Sequence, residues 1–174
     1  MGIRDDDTKM KYYIGIDNGL SGGITVIDEN QNIISSVVMP VIKGKKTEYD
    51  IREIVNIFNT FAEPCNVFVA LEKSHVRPIS GKRACFMTGF GYGVMQGIIE
   101  SLSFSYEIVS PNEWMKDILK GQDTKDKKGS VLWCKRKYPN EQWTATDRCK
   151  KIHDGMTDSC ALAVYCYRRN NGIK

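Results

Sequence analysis

The chain has 174 residues, 41% hydrophobic and 26% charged, with a formal net charge of +4. That length suits one domain with its own core, and no apolar run of about 18 residues occurs, so no membrane partner is expected. A charge this small argues weakly for a polyanionic partner, which makes the placement of the basic residues matter more than their sum.

Residues 1–10 are polar and acidic, unlike a secretory or transit signal, and read as a flexible tail before a single domain over 11–174. Residues 12–17 read as a strand with Tyr13, Gly15 and Asp17 on one face. The glycine-rich turn Asn18-Gly19-Leu20-Ser21-Gly22-Gly23 leads to a second strand over 24–28. A turn over 29–32 leads to a third over 33–39, giving a meander of short hairpins. After the basic loop Lys43-Gly44-Lys45-Lys46, Thr47 opens a helix with Asp50 three positions on. Its stripe is Ile51, Ile54, Val55, Phe58 and Phe61, and Pro64 ends it. Residues 67–71 are apolar throughout, as expected of a central strand buried on both faces, and deliver Glu72 at the C-terminal end.

Residues 84–102 read as a helix with Gly89, Gly93 and Gly97 at four-residue spacing. Glycine weakens a helix, so three on one face suggest close approach of another backbone, from the sheet, a neighbouring helix or a second copy. The run Gly89-Phe90-Gly91-Tyr92-Gly93 lacks the preceding strand and the spacing of a nucleotide fingerprint. A fifth strand spans 104–109. Ser110-Pro111-Asn112-Glu113 then starts a helix, with serine as cap, proline first and glutamate third. Another helix covers about 130–137, a loop runs from Pro139 to Arg148, and the last helix covers 153–169. On it Asp154 and Asp158 project from the same side, while Cys160, Ala163, Val164 and Tyr167 form a stripe that can dock on the sheet. Acids near a helix start are also favoured by the macrodipole alone.

Right-handed crossovers place strands 1 and 4 side by side, which gives an α/β fold: a five-stranded mixed sheet, order 3-2-1-4-5, with helices on both faces. Asp17, Glu72, Asp154 and Asp158 would then converge. Crowded carboxylates raise one another's pKa and call for cations, and hard oxygen ligands suit Mg²⁺ or Mn²⁺. Two such ions roughly 4 Å apart support phosphodiester hydrolysis. Basic residues stand beside these acids: Lys73, Arg77, Lys82 and Arg83, the stretch 116–128, Lys135-Arg136-Lys137, and Arg148 with Lys150 and Lys151. Any one cluster could be a solvated face, but their joint placement suits phosphate contacts. The six cysteines have irregular spacing and no C-x-x-C pair, and read as reduced, mostly buried thiols of an intracellular reducing compartment.

Four segments together resemble the RuvC-type Holliday junction resolvases, nearest the phage, viral and organellar branch. They are Ile14-Gly15-Ile16-Asp17 with its turn, the strand-terminal Glu72, Val109-Ser110-Pro111-Asn112-Glu113-Trp114-Met115-Lys116, and His153-Asp154-Gly155-Met156-Thr157-Asp158 with the residues through Ala163. The resemblance covers roughly residues 12–168 in order. It implies an RNase H-like fold, a homodimer and Mg²⁺-dependent paired nicking of four-way DNA junctions that leaves 5′-phosphates, in a cytoplasm or a virus- or phage-infected cell. It carries over Asp17, Glu72, Asp154 and Asp158 as catalytic metal-binding acids, with His153 and Lys128 as auxiliaries. Lys125, Lys127, Lys128 and Ser130 fall in the segment expected to meet phosphates, and Lys73, His75, Arg77, Lys82, Arg83, Lys150 and Lys151 complete the DNA-facing set.

The sequence departs from the bacterial pattern in two places. There the last two acids are three residues apart, a position held here by Gly155, and the acid stands at Asp154 as in the organellar and viral pattern. The bacterial aromatic wedge falls near His75, so His75, Arg77 or Phe86 would take its place. Two readings stay open beside the resolvase: another RNase H-fold nuclease, acting on RNA/DNA hybrids or as an exonuclease, and a junction-binding protein without activity. Sugar kinases and actin-like ATPases share the Asp-containing turn but need two such domains, more than 174 residues supply.

Overall fold

The computed structural model describes residues 10–61, 66–75, 81–121 and 129–173. Pro64, Arg77, Lys125, Lys127 and Lys128 lie outside these. The meander is present as β1 (Tyr12–Asp17), β2 (Gly23–Asp28) and β3 (Ile33–Val38), each antiparallel to the one before. A short hairpin follows, β4 (Val41–Ile42) with β5 (Glu48–Tyr49), and then helix α1 (Ile51–Asn59). β6 (Val67–Glu72) lies parallel to β1, and β7 (Ser105–Val109) lies parallel to β6. The main sheet has the order β3-β2-β1-β6-β7. This is the expected 3-2-1-4-5 order, and the α/β class holds with it.

The hairpin corrects one expectation. Thr47 does not open a helix: residues 48 and 49 pair with 42 and 41, and the helix begins after Asp50, whose carboxylate accepts the Glu53 backbone N–H at 3.1 Å. Aspartate satisfies an orphan donor of the first helical turn, and Tyr49 suits a strand that buries its ring.

Helices cover both faces. The odd-even alternation of the strands sends Ile14, Ile16, Val69 and Leu71 to one side, where Ile54 and Phe58 of α1 meet Met95 and Ile99 of α2 (Lys82–Ser101). Tyr13, Ile27 and Ala70 face the other side, against α5 (Asp154–Asn170). Helices α3 (Pro111–Ile118) and α4 (Gly129–Lys137) lie outside α5. As a result α5 is buried on more than its expected stripe, including Gly155, Met156, Thr157 and Ser159 through Cys166. The α3 start is as the sequence implies: the Ser110 N–H donates to the Glu113 carboxylate at 2.8 Å, just ahead of Pro111.

The closest packing is between α5 and the sheet. Thr25, Gly15 and Ala70 stand side by side in register, a row of small residues under the helix. A Cβ on Gly15 would strike the backbone of Ser159, Leu162 and Ala163. One on Gly155 would strike that of Ser21 and Gly22, and one on Gly23 that of Gly155. Thr25 and Ser159 share a buried hydroxyl hydrogen bond of 2.8 Å across this seam.

The glycine stripe of α2 behaves differently. A Cβ on Gly89, Gly93 or Gly97 would meet no atom within 4 Å, so no backbone of the described residues approaches there. Gly91 is the member of this run that is packed, against the Tyr49 ring.

These contrasts are testable by thermal melts. Gly15→Ala overpacks the α5 seam and is expected to lose about 1–3 kcal/mol, or roughly 3–10 °C in Tm for a chain of this size. Gly93→Ala should be neutral or stabilising by up to about 1 kcal/mol, because it meets only open space in the monomer and gains helix propensity. Equal effects from the two would contradict the packing described.

Candidate active site

Two strand ends and one helix start meet at the C-terminal edge of the parallel part of the sheet, where ligands of open α/β sheets bind. Ile16 pairs with Leu71, so Asp17 and Glu72, the last residues of β1 and β6, lie beside each other. The backbone N–H of Gly19 donates to Asp17 and the turn closes with Gly22 N–H to Gly19 C=O at 2.9 Å. Because α5 seats directly on Gly15, its first turns come over the same edge and bring Asp158 to Asp17.

The electrostatics show which acids act together. Burial pushes Asp17 up to about 7, with repulsion from Asp158 adding to it and the Gly19 N–H opposing it. Burial likewise pushes Glu72 up to about 8, with repulsion from Asp17 and then Asp158. Asp158 is raised by burial and by Asp154, and held back by the Ser130 hydroxyl. Asp17, Glu72 and Asp158 are thus one coupled group. Asp154 is exposed and acts on Asp158 alone among them. Asp17, Glu72 and Asp158 thus form the coupled set, and Asp154, one helical turn before Asp158, joins it through Asp158.

Asp17 and Glu72 open into a cleft of about 530 Å³ that Lys73 and His75 also line. A second cavity of about 260 Å³ is lined by Asp154, Asp158, Ser130 and Trp114. Lys82, Arg83, Lys150 and Lys151 are exposed and are not among the residues lining the cleft. Ser130 is buried, 4% exposed, with its hydroxyl shared between Thr157 at 3.2 Å and the Asp158 carboxylate. In this position it holds an acid. His153 is the N-cap residue of α5, its N–H donating to the Trp143 carbonyl at 2.8 Å. Its Nδ1 is buried without a hydrogen-bond partner, and burial lowers its pKa.

Three residues of the site escape a reading of the sequence. Asn18 donates from Nδ2 to the Ser74 hydroxyl at 2.6 Å, tying the chain just after Asp17 to the chain just after Glu72. Its Oδ1 is buried and unpaired. The Tyr49 hydroxyl donates to the Asn18 carbonyl at 3.1 Å and is pushed up to about 12 by burial and by Asp17. Position within two residues after each acid is the one signal that could have found Asn18 and Ser74. Tyr49 offered none once its segment was read as helix.

Divalent cations fit this group in donor chemistry and in charge. Three half-buried carboxylates with raised pKa values carry repulsion that a hard cation would relieve. Among the described residues no three His, Cys, Asp or Glu groups stand close enough to enclose one ion. Each ion would then be held by one or two carboxylates, which is how Mg²⁺ commonly binds while keeping several waters.

No protein-family model matches this sequence, and no curated protein matches it. Solved structures do. The chain is similar to Thermus thermophilus RuvC in complex with a Holliday junction substrate, with a TM-score of 0.60 and 11% identity over 94% of this chain and 97% of that one. It is also similar to a second Thermus thermophilus RuvC structure, with a TM-score of 0.57 and 14% identity over 93% and 97% of the two chains. The fold is RuvC-like and RNase H-like.

The raised pKa values give a pH prediction for metal-free protein. Unfolded, these carboxyls ionise near 4, whereas folded Asp17 and Glu72 keep their protons to about 7 and about 8. Folding therefore takes up protons between those limits, and stability falls as pH rises from about 4 to about 8. Asp17→Asn removes one source of the penalty. At pH 8 in a chelator it is expected to raise stability by about 1 kcal/mol or more, moving Tm up by about 2–4 °C, with little gain at pH 4. A lower Tm for the variant at pH 8 would contradict the assignment.

Proposed function

We propose that the protein is a divalent-metal-dependent endonuclease that resolves four-way DNA junctions by paired symmetric nicks leaving 5′-phosphates. The observation that carries the reading is the half-buried, mutually repelling triad Asp17, Glu72 and Asp158, with raised pKa values, in a RuvC-like fold. The likeness to a RuvC in complex with a Holliday junction substrate supports the choice of DNA. The four-residue spacing of Asp154 and Asp158 agrees with the organellar and viral pattern, and the buried thiols of Cys134, Cys160 and Cys166 suit a reducing compartment.

Asp17, Glu72 and Asp158, each coupled to the others, would hold the cations, with Asp154 beside Asp158. Bound there, Mg²⁺ or Mn²⁺ would lower the pKa of a water and offset charge on the leaving 3′-oxygen. The chain's own part is to hold these carboxylates in place. The Asn18–Ser74 hydrogen bond fixes the spacing of the two strand ends, and Ser130 holds Asp158 from behind. Lys73 and His75, which line the cleft, are placed to orient the phosphates flanking the cut.

A homodimer would match the two-fold symmetry of the junction. Support comes from α2, where Gly89, Gly93 and Gly97 face open space and Phe86 and Phe90 are 67% and 41% exposed. Glycines on such a face let a second helix approach closely. Gly93→Arg is accordingly expected to halve the mass seen by light scattering without lowering the monomer's fold content by circular dichroism. An unchanged dimer would move the interface elsewhere.

The direct test incubates purified protein with an immobile four-way junction, a linear duplex and an RNA/DNA hybrid, with and without Mg²⁺. The junction alone should receive paired nicks, and only with metal. Asp17→Asn should lower cleavage by at least about 10²-fold while junction binding remains measurable. Equal cutting of the hybrid or the duplex would replace this reading with that of a general RNase H-fold nuclease.

A further inference from the structure

The β4–β5 hairpin carries Lys43, Lys45 and Lys46 in the loop between its strands, and all three are exposed. None forms an ion pair among the described residues. A bare basic loop is commonly just a solvated surface, but this one is tethered at its base. The Asp50 N–H donates to the Pro40 carbonyl at 3.0 Å, closing the hairpin, and the Met39 N–H donates to Gly22 in the turn after Asp17 at 2.9 Å. Tyr49 packs on Gly91 of α2 and donates to Asn18, and it lines the same cleft as Asp17 and Glu72. The hairpin is therefore a finger whose root forms part of the cleft wall. Lys46 is three residues from Tyr49, so its Cα lies within about 11 Å of that wall.

We propose that this hairpin is a nucleic-acid contact of its own, binding backbone phosphates of a DNA arm next to the one being cut. The inference rests on the nuclease reading above. Three ammonium groups within one short loop between two paired strands repel, and polyanionic phosphates relieve that repulsion. The partner class follows from position, because the root of the finger, Tyr49, lines the cleft beside Asp17 and Glu72. Tyr49 gives the contact a second consequence: a phosphate pulling on the finger pulls on the residue that braces Asn18, directly after Asp17.

The test measures junction affinity across a salt series in Ca²⁺, for wild type and for the triple variant Lys43→Ala, Lys45→Ala, Lys46→Ala. Every lysine–phosphate pairing removed should reduce the slope of log K against log salt by about 0.9, so a drop of about 2–3 is expected, with an unchanged melting curve. A triple arginine variant should keep the slope, since it preserves the charge. A wild-type slope in the alanine variant would overturn the hairpin contact while leaving the junction reading intact. A slope that falls equally on linear duplex would support the contact and count against junction specificity. Failure of wild type to bind any DNA, with binding to an acidic protein surface instead, would overturn both.

Discussion

The backbone-to-backbone seating of α5 on β1 and on the turn after it is the constraint from which the candidate site follows. A helix usually rests on a sheet across two layers of side chains, roughly 10 Å from it. Here Gly15 and Gly155 supply no side chain where the two meet, and Thr25 and Ala70 flank Gly15 with small ones. The helix start drops to the level of the strand ends, and an acid on α5 can act on an acid at the end of β1. A fold with the same strand order and a bulkier seam would hold Asp158 away from Asp17.

The closeness so gained is unfavourable in the isolated protein. Asp17, Glu72 and Asp158 are partly withdrawn from water and repel one another, and among the described residues no ion pair reaches them. Local rules of stability are broken most often where function requires it, and the surrounding structure must then over-determine the geometry. Around this group it does. Asn18 and Ser74 join the two strand ends, Ser130 holds Asp158, the Thr25–Ser159 hydroxyl bond pins α5 to β2, and Tyr49 braces the turn from the hairpin side. The same repulsion that weakens the metal-free chain would favour cations at this site.

Much of this was legible in the sequence, for reasons that can be named. Period-two alternation and the apolar run at 67–71 marked the strands, crossover handedness set their order, and Ser110-Pro111 with Glu113 marked a helix start through purely local chemistry. Asp17 and Glu72 were legible as neighbours because both end strands that topology pairs. The rest depends on tertiary contact. The evenly spaced Gly89, Gly93 and Gly97 meet no other part of the described chain, whereas within it Gly15, Gly22, Gly23 and Gly155 carry the close approach from three separate segments with no common spacing. The hairpin was hidden because its strands are two residues each, below any periodic signal, and Thr47 with Asp50 imitates a capping box. Asp154 was grouped with Asp158 by helical angle, and the two do line one cavity, with Asp154 raising Asp158.

The central claim is that the coupled carboxylates form a cation site, and anomalous diffraction from crystals grown in Mn²⁺ tests it most directly. Manganese is expected within about 2.3 Å of carboxylate oxygens of Asp17, with Glu72 and Asp158 completing the protein ligands. Manganese absent from these three side chains, or bound only elsewhere on the molecule, would contradict it.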